Sequence, residues 1–208
     1  MEKLATKEEI KIESPKIIIK REVVFLIAFK DFRDQEYFVP KEILEKGGIK
    51  VKTASTRKGQ AIGADGGDTN IDLTLEEINL TDFDGIVFVG GPGCLEYLDN
   101  EKSYKIAKET VVENKILAAI CISPIILAKA GVLDDRKATV WTSALERGPV
   151  KILEENGAEF INEKIIQDGN IITADGPAAA EEFGKKILDL SIKENSSHFL
   201  NLAQQKEK

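Results

Sequence analysis

Strands that alternate with helices along most of the chain predict an α/β domain on a mainly parallel sheet with helices on both faces. Three observations carry that expectation. Apolar runs rich in β-branched residues recur at VVFLIAF, GIVFV and KILAAI, segments with helical spacing follow them, and glycine or proline turns separate the two kinds. A length of 208 residues suits one such domain with room for terminal extensions.

Taken in order, Val23 to Phe29 has the length of a buried strand, and Asp34 then offers an N-cap for the helix QEYFVPKEILEKGG. Gly47 and Gly48 suit a left-handed exit, and IKVKTAS follows as the next strand. TRKGQAIGADGGDTN, with four glycines, reads as a loop or short hairpin. Gly85 to Val89 is a strand running into the turn Gly90 to Gly93, and Ser103 to Glu113 has amphipathic helical spacing. Lys115 to Ile120 is a third buried strand, meeting Cys121 just before SPIILAKAG, where Pro124 suits a first helical turn and Gly131 a C-cap. A short strand at Ala138 to Trp141, a helix around Pro149 to Asn156, a hairpin turning at Asp168-Gly169 and a helix over Ala178 to Ile192 complete the domain. The organisation read from this is an N-terminal extension at residues 1–21, a domain at 22–192 and a polar tail at 193–208.

Composition narrows the function. With 42% hydrophobic and 31% charged residues the chain buries a core and solvates its surface, which argues against disorder. Its longest apolar stretches fall far short of the roughly 20 residues that span a bilayer, so no membrane is expected as a partner. The charged opening segment lacks an apolar signal core, which points to a cytoplasmic protein. A net charge of −7 without a long basic run makes nucleic acid a poor partner. Cys94 and Cys121 are the only cysteines, and no Cys/His spacing suggests zinc, so neither metal nor cofactor is expected.

In open α/β sheets ligands collect where the strands end, because loops and helix amino termini present unpaired N–H groups there. Glu36, the glycines 90–93 and Cys121 converge on that edge. A cysteine between a buried strand and a helix amino terminus sits in the positive end of the helix dipole, which favours a partly ionised thiol at neutral pH. The alternative is a small buried hydrophobe at a strand end, the commoner fate of a free cysteine. For Glu36 the alternative is a solvated glutamate of the first helical turn.

Four separated segments match a known pattern: FKDFRDQEYFVPKEILEKGGIKV, VFVGGPG, AAICISPIILAKAGVL and DGNIITADGPAAAEEFGKKIL. Together they resemble the ThiJ/PfpI superfamily over about Glu22 to Leu190. The resemblance implies a flavodoxin-like three-layer sandwich with a cysteine nucleophile elbow, commonly assembled as a homodimer or higher oligomer. It assigns Cys121 as nucleophile, Glu36 as the buried acid, and the amides of Gly91 and Ile122 as an oxyanion site. Members of the peptidase kind place histidine directly after the cysteine, where Ile122 stands, and others have one about where Trp141 stands. The sole histidine, His198, lies near the carboxyl terminus, where a surface or tail role is expected.

Without imidazole, amide hydrolysis loses the group that activates the thiol and protonates a leaving amine. Addition of sulfur to an aldehyde expels no amine, so a glutathione-independent reaction on a small carbonyl compound such as methylglyoxal or glyoxal survives better. The expectation is therefore a cofactor-independent enzyme of the glyoxalase III or deglycase kind. Its alternatives are a redox sensor or stress-linked binding protein, a peptidase disfavoured by the missing histidine, and a fold whose pocket Ile122 and Trp141 have filled. Cys94 is either a resolving thiol or, more simply, a turn residue packed under the helix at Leu95 to Leu98. For Trp141, core packing is the default, with a pocket wall or a dimer contact as the other roles.

Overall fold

The computed structural model describes residues 21–192, so both terminal segments, His198 included, lie outside the described residues. The elements run β1 (Glu22–Leu26), β2 (Lys30–Phe32), α1 (Asp34–Lys46), β3 (Lys50–Ser55), β4 (Gln60–Gly63), β5 (Asp68–Asn70), β6 (Leu73–Thr74) and β7 (Gly85–Phe88). There follow α2 (Cys94–Leu98), α3 (Glu101–Val112), β8 (Ile116–Ile120), α4 (Pro124–Lys129), β9 (Lys137–Ala138), α5 (Gly148–Glu155), β10 (Glu159–Phe160), β11 (Ile165–Asp168) and β12 (Ile171–Ala174). A 3-10 turn at Pro177–Ala179 leads into a last helix, α6, over residues 180–192.

The main sheet has seven strands in the order β11-β12-β8-β7-β1-β3-β6, all parallel except the β11–β12 hairpin. Successive side chains of a strand point to opposite faces, so apolar runs such as EVVFL and ILAAI feed both sides at once. Val24, Leu26, Ile86 and Phe88 pack with Leu98, Ile106, Ile125 and Leu153 of α2 to α5. Val23, Phe25, Val87 and Ile120 pack on the other face with Tyr37 and Leu44 of α1 and with Phe183 and Ile187 of α6. The result is the flavodoxin-like three-layer sandwich that the sequence predicts.

Differences from that expectation have local causes. β1 stops at Leu26 rather than Phe29, because the chain turns away there: Ile27 N still donates to Ala54 O (3.0 Å), whereas Phe29 O accepts from Ile62 N (3.2 Å). The glycine-rich stretch takes its hairpin form, and β4 joins both β5 and β2 in a small side sheet. α3 begins at Glu101, two residues early, since the Asn100 side chain accepts from Lys102 N and Ser103 N (3.1 Å each). Of the strand expected at Ala138 to Trp141 only Ala138 is kept, in the short β9, paired with β10.

Asp34 is not the N-cap of α1 but its first residue, with Arg33 at the cap. Its carboxylate instead accepts from Asp65 N (2.8 Å) and Gly67 N (2.6 Å), tying the side-sheet hairpin to the start of the helix that carries Glu36. Bonds from a charged acceptor to backbone amides are each worth about 1.5–3 kcal/mol. With the two bonds taken at the low end of that range because the Asp65 contact is exposed, Asp34→Ala is expected to lower the unfolding free energy by about 3 kcal/mol, read as a lower urea midpoint at unchanged slope.

Candidate active site

Cys121 follows β8 directly, and its φ of 65° places it in the left-handed region. For a residue with a Cβ that conformation costs about 1–2 kcal/mol and persists only where the surroundings fix it. Here they do. Cys121 N donates to Ala174 O (2.9 Å), and Cys121 O accepts from Trp141 N (2.8 Å). The buried Ser123 hydroxyl accepts from Ile120 N (2.9 Å) and lies 2.8 Å from Phe88 O, binding the elbow to the end of β7. Sequence reasoning passed over Ser123, since a hydroxyl before Pro124 carries no distinctive signal.

Glu36, on the first turn of α1, is fully buried, so the solvated alternative is excluded. Its Oε2 accepts from Gly90 N (3.1 Å). Oε1 is also buried and has no partner of ordinary hydrogen-bond geometry, and the Cys121 thiol interacts with this carboxyl. A Cβ at Gly90 would stand 2.6 Å from both Cys121 Cβ and Glu36 Oε2, so only glycine lets acid and thiol share this space. Gly91 has a φ of 114°, and a Cβ there would meet Asp31 O and the Phe32 carbonyl carbon at 2.7 Å. The amides of Gly91 and Ile122 both interact with the sulfur. All four expected residues, Cys121, Glu36, Gly91 and Ile122, thus meet at one point.

Burial pushes the Glu36 carboxyl up from 4.5 to about 7, against the thiol interaction, the charge of Arg33 and the Gly90 amide, which all lower it. Burial, then the charge and hydrogen bond of Glu36, push the Cys121 thiol up as well, while the Gly91 and Ile122 amides pull it down. The expectation of a partly ionised thiol at neutral pH is therefore corrected. Helix α4 starts only at Pro124, three residues on, and its pull does not offset desolvation beside an ionised carboxylate. The two groups titrate as a pair, and near neutrality that pair retains a proton.

The sulfur lies on a cleft of about 350 Å³ lined by Arg33, Leu95, Ile122, Trp141 and Pro177 among others. Ile122 and Trp141 form walls of this space and do not fill it. Trp141 is 37% exposed rather than packed in the core. Arg33, missed in the sequence, is the one charged residue of the lining, and its guanidinium is held by Asp65 (3.1 Å). Cys94 is not a turn residue but the first residue of α2, fully buried, its thiol pushed well up by burial first, which favours a packing role over a resolving thiol. Among the described residues no group of three or more His, Cys, Asp or Glu converges as a metal site. No helix among them is long and apolar enough to cross a membrane.

The sequence profile described as the DJ-1/PfpI family matches residues 21–190. A deglycase, PfpI, of Pyrococcus furiosus is 34% identical over 155 residues, 74% of this chain and 90% of that one. A glutathione-independent glyoxalase of Caenorhabditis elegans is 25% identical over 170 residues, covering 82% of this chain and 88% of its own. The crystal structure of a ThiJ/PfpI domain protein from Brachyspira murdochii superposes with a TM-score of 0.77 at 32% identity, over 82% of this chain and 96% of that one.

Because Glu36 raises the thiol, Glu36→Gln is expected to lower the pH at which Cys121 becomes reactive, seen as faster iodoacetamide alkylation near pH 8. Mass spectrometry of the native protein should find the label on Cys121 well before Cys94. Equal labelling, or an unchanged alkylation profile in Glu36→Gln, contradicts the coupling described.

Proposed function

The chain belongs to the DJ-1/PfpI family, and from that premise we propose that it is a cysteine-dependent enzyme acting on small reactive carbonyl compounds without glutathione, of the glyoxalase or deglycase kind. One observation carries the reading: a cysteine held in a left-handed turn on an open, largely apolar cleft, with a buried carboxyl and two backbone amides at its sulfur. The relatives named as deglycase and as glutathione-independent glyoxalase support it.

In this reading Cys121 Sγ adds to the aldehyde carbon of methylglyoxal as its proton passes to Glu36, which hands that proton on to the former aldehyde oxygen, giving a hemithioacetal beside a free carboxylate. The Gly91 and Ile122 amides stabilise the oxygen on which negative charge develops. Glu36 then removes the hydrogen from the former aldehyde carbon, giving an enediolate, and returns it to the neighbouring carbon as the hydroxyl proton passes from the first oxygen to the second. The product is a thioester of lactate, which water cleaves to lactate and free thiol. A carboxyl of about 7 suits both directions of this transfer, since a catalytic acid or base works best near the ambient pH.

The expected homodimer belongs to the same proposal, and sedimentation velocity reads it directly. A peptidase is disfavoured, since Ile122 and Trp141 stand where imidazole is expected. A redox-sensing role draws on a different observation: Cys121 is half-buried on a cleft while Cys94 is fully enclosed, so mild oxidation would fall on one sulfur. Peroxide treatment followed by peptide mass spectrometry tests it, and oxygen on both cysteines at equal rates rejects it.

For the enzymatic reading, Cys121→Ser and Glu36→Gln are each expected to reduce methylglyoxal consumption about 10²-fold or more. Wild type no faster than Cys121→Ser rejects it for this substrate class. Glu36→Gln should thus gain in alkylation while losing turnover, a split that a merely unfolded variant does not give. The competent state is the pair carrying one proton, whichever atom holds it. Deprotonation of Glu36 from the doubly protonated pair generates it, so kcat/KM is expected to rise with pH through about 7, and Glu36→Gln should abolish that limb.

A further inference from the structure

A second cleft, of about 260 Å³, adjoins the first and shares Trp141 and Pro177 with it. Its lining differs in chemistry: Thr142, Asn162 and Asp175 bring polar groups to it. Asp175 follows β12 directly, one residue after Ala174, whose carbonyl oxygen accepts from Cys121 N. At Gly176 the backbone passes close to the indole, and a Cβ there would lie 3.6 Å from Trp141 Cδ1.

We propose that this cleft is a cation subsite, in which Asp175 and the face of Trp141 take the ammonium or guanidinium group of a substrate whose carbonyl carbon reaches Cys121. The inference rests on the carbonyl reading above for the identity of the reacting end, but not for the subsite itself. Asp175 is partly buried, and among the described residues no cation forms an ion pair with it; Lys164 acts on it only through longer-range charge. Desolvation pushes its carboxyl up, as for an acid lacking a close counterion. A cationic group placed there would restore that missing partner. The neighbouring indole adds attraction for the same charge, and Thr142 Oγ1, which donates to Glu146 O (2.8 Å), keeps its oxygen lone pairs as acceptors. Arg33, in the lining of the first cleft, is already paired with Asp65 (3.1 Å), whereas Asp175 in the second has no such ion pair among the described residues.

The substrate class this selects is a reactive carbonyl compound carrying an ammonium or guanidinium a few bonds from the carbonyl carbon. Trp141 is the only tryptophan of the sequence and reports on the shared wall. The test is titration of its fluorescence with n-butylguanidinium, and with n-butanol as the uncharged control, in wild type, Asp175→Asn, Asp175→Glu and Cys121→Ser. Saturable binding of the guanidinium is expected in wild type and in Cys121→Ser, weakened about tenfold in Asp175→Asn and largely kept in Asp175→Glu, which retains the charge and controls for folding. Equal responses to the guanidinium and the alcohol overturn the proposal, as does wild-type affinity in Asp175→Asn. Binding by Cys121→Ser without methylglyoxal turnover by wild type supports the subsite and rejects only the carbonyl reading.

Discussion

Everything at this site depends on a carboxyl kept out of water beside a thiol. Moving Glu36 from 4.5 to about 7 means that the fold opposes its ionisation by about 3 kcal/mol at pH values above 7. Because the folded value lies above the unfolded one, this penalty is absent below the ordinary carboxylate range and grows as pH rises towards 7. The fold tolerates it by supplying one fixed amide, Gly90 N, to Oε2, and by leaving Oε1 without a conventional partner. Such an oxygen is a poor contributor to stability and a ready acceptor for a proton from sulfur.

The sheet explains why these groups meet. β8, β7 and β1 are neighbours at its centre, so the segments after their carboxyl ends arrive together: Cys121 after β8, Gly90 and Gly91 after β7, and the loop into α1 after β1. Arg33 N donates to Gly90 O (3.1 Å), fastening the third segment to the second. The strained turn of Cys121 is held from three directions, by β12 through Ala174, by Trp141 and by Ser123. A parallel α/β sheet thereby converts strand order into the position of one sulfur atom.

The strands and the elbow were legible because period and punctuation are local: ILAAI reads as buried strand, and Pro124 marks the helix start. Cys121 stood out by position between them, and Glu36 only through resemblance, since an acid in a first helical turn is more often solvated. What escaped depends on distant partners. Asp34 looks like a cap, yet its oxygens serve amides more than thirty residues away at Asp65 and Gly67. Arg33 lines the cleft held by Asp65 of the distant hairpin, and Asp175 lines the second cleft together with Trp141, placements that no local pattern announces. The ionisation of Cys121 was misjudged for the same reason: a dipole can be read from sequence order, but desolvation cannot.

The floor of the cleft and its walls answer to different constraints. Cys121, Glu36, Gly90 and Gly91 are fixed by backbone hydrogen bonds and by spaces that no added carbon can enter, so their geometry allows little latitude. Arg33, Leu95, Ile122 and Trp141 reach the same space from loops or helix starts, where side chains can change without disturbing the sheet. Ile122 and Trp141 stand on the walls where the resemblance leads one to expect imidazole, so the proposed chemistry keeps the acid, the amides and the elbow but has no imidazole beside the thiol. In the proposed chemistry the work is thus divided: the floor would supply the nucleophile and its proton partner, and the walls would set whether the second half of the reaction protonates a leaving group or only returns a proton to carbon.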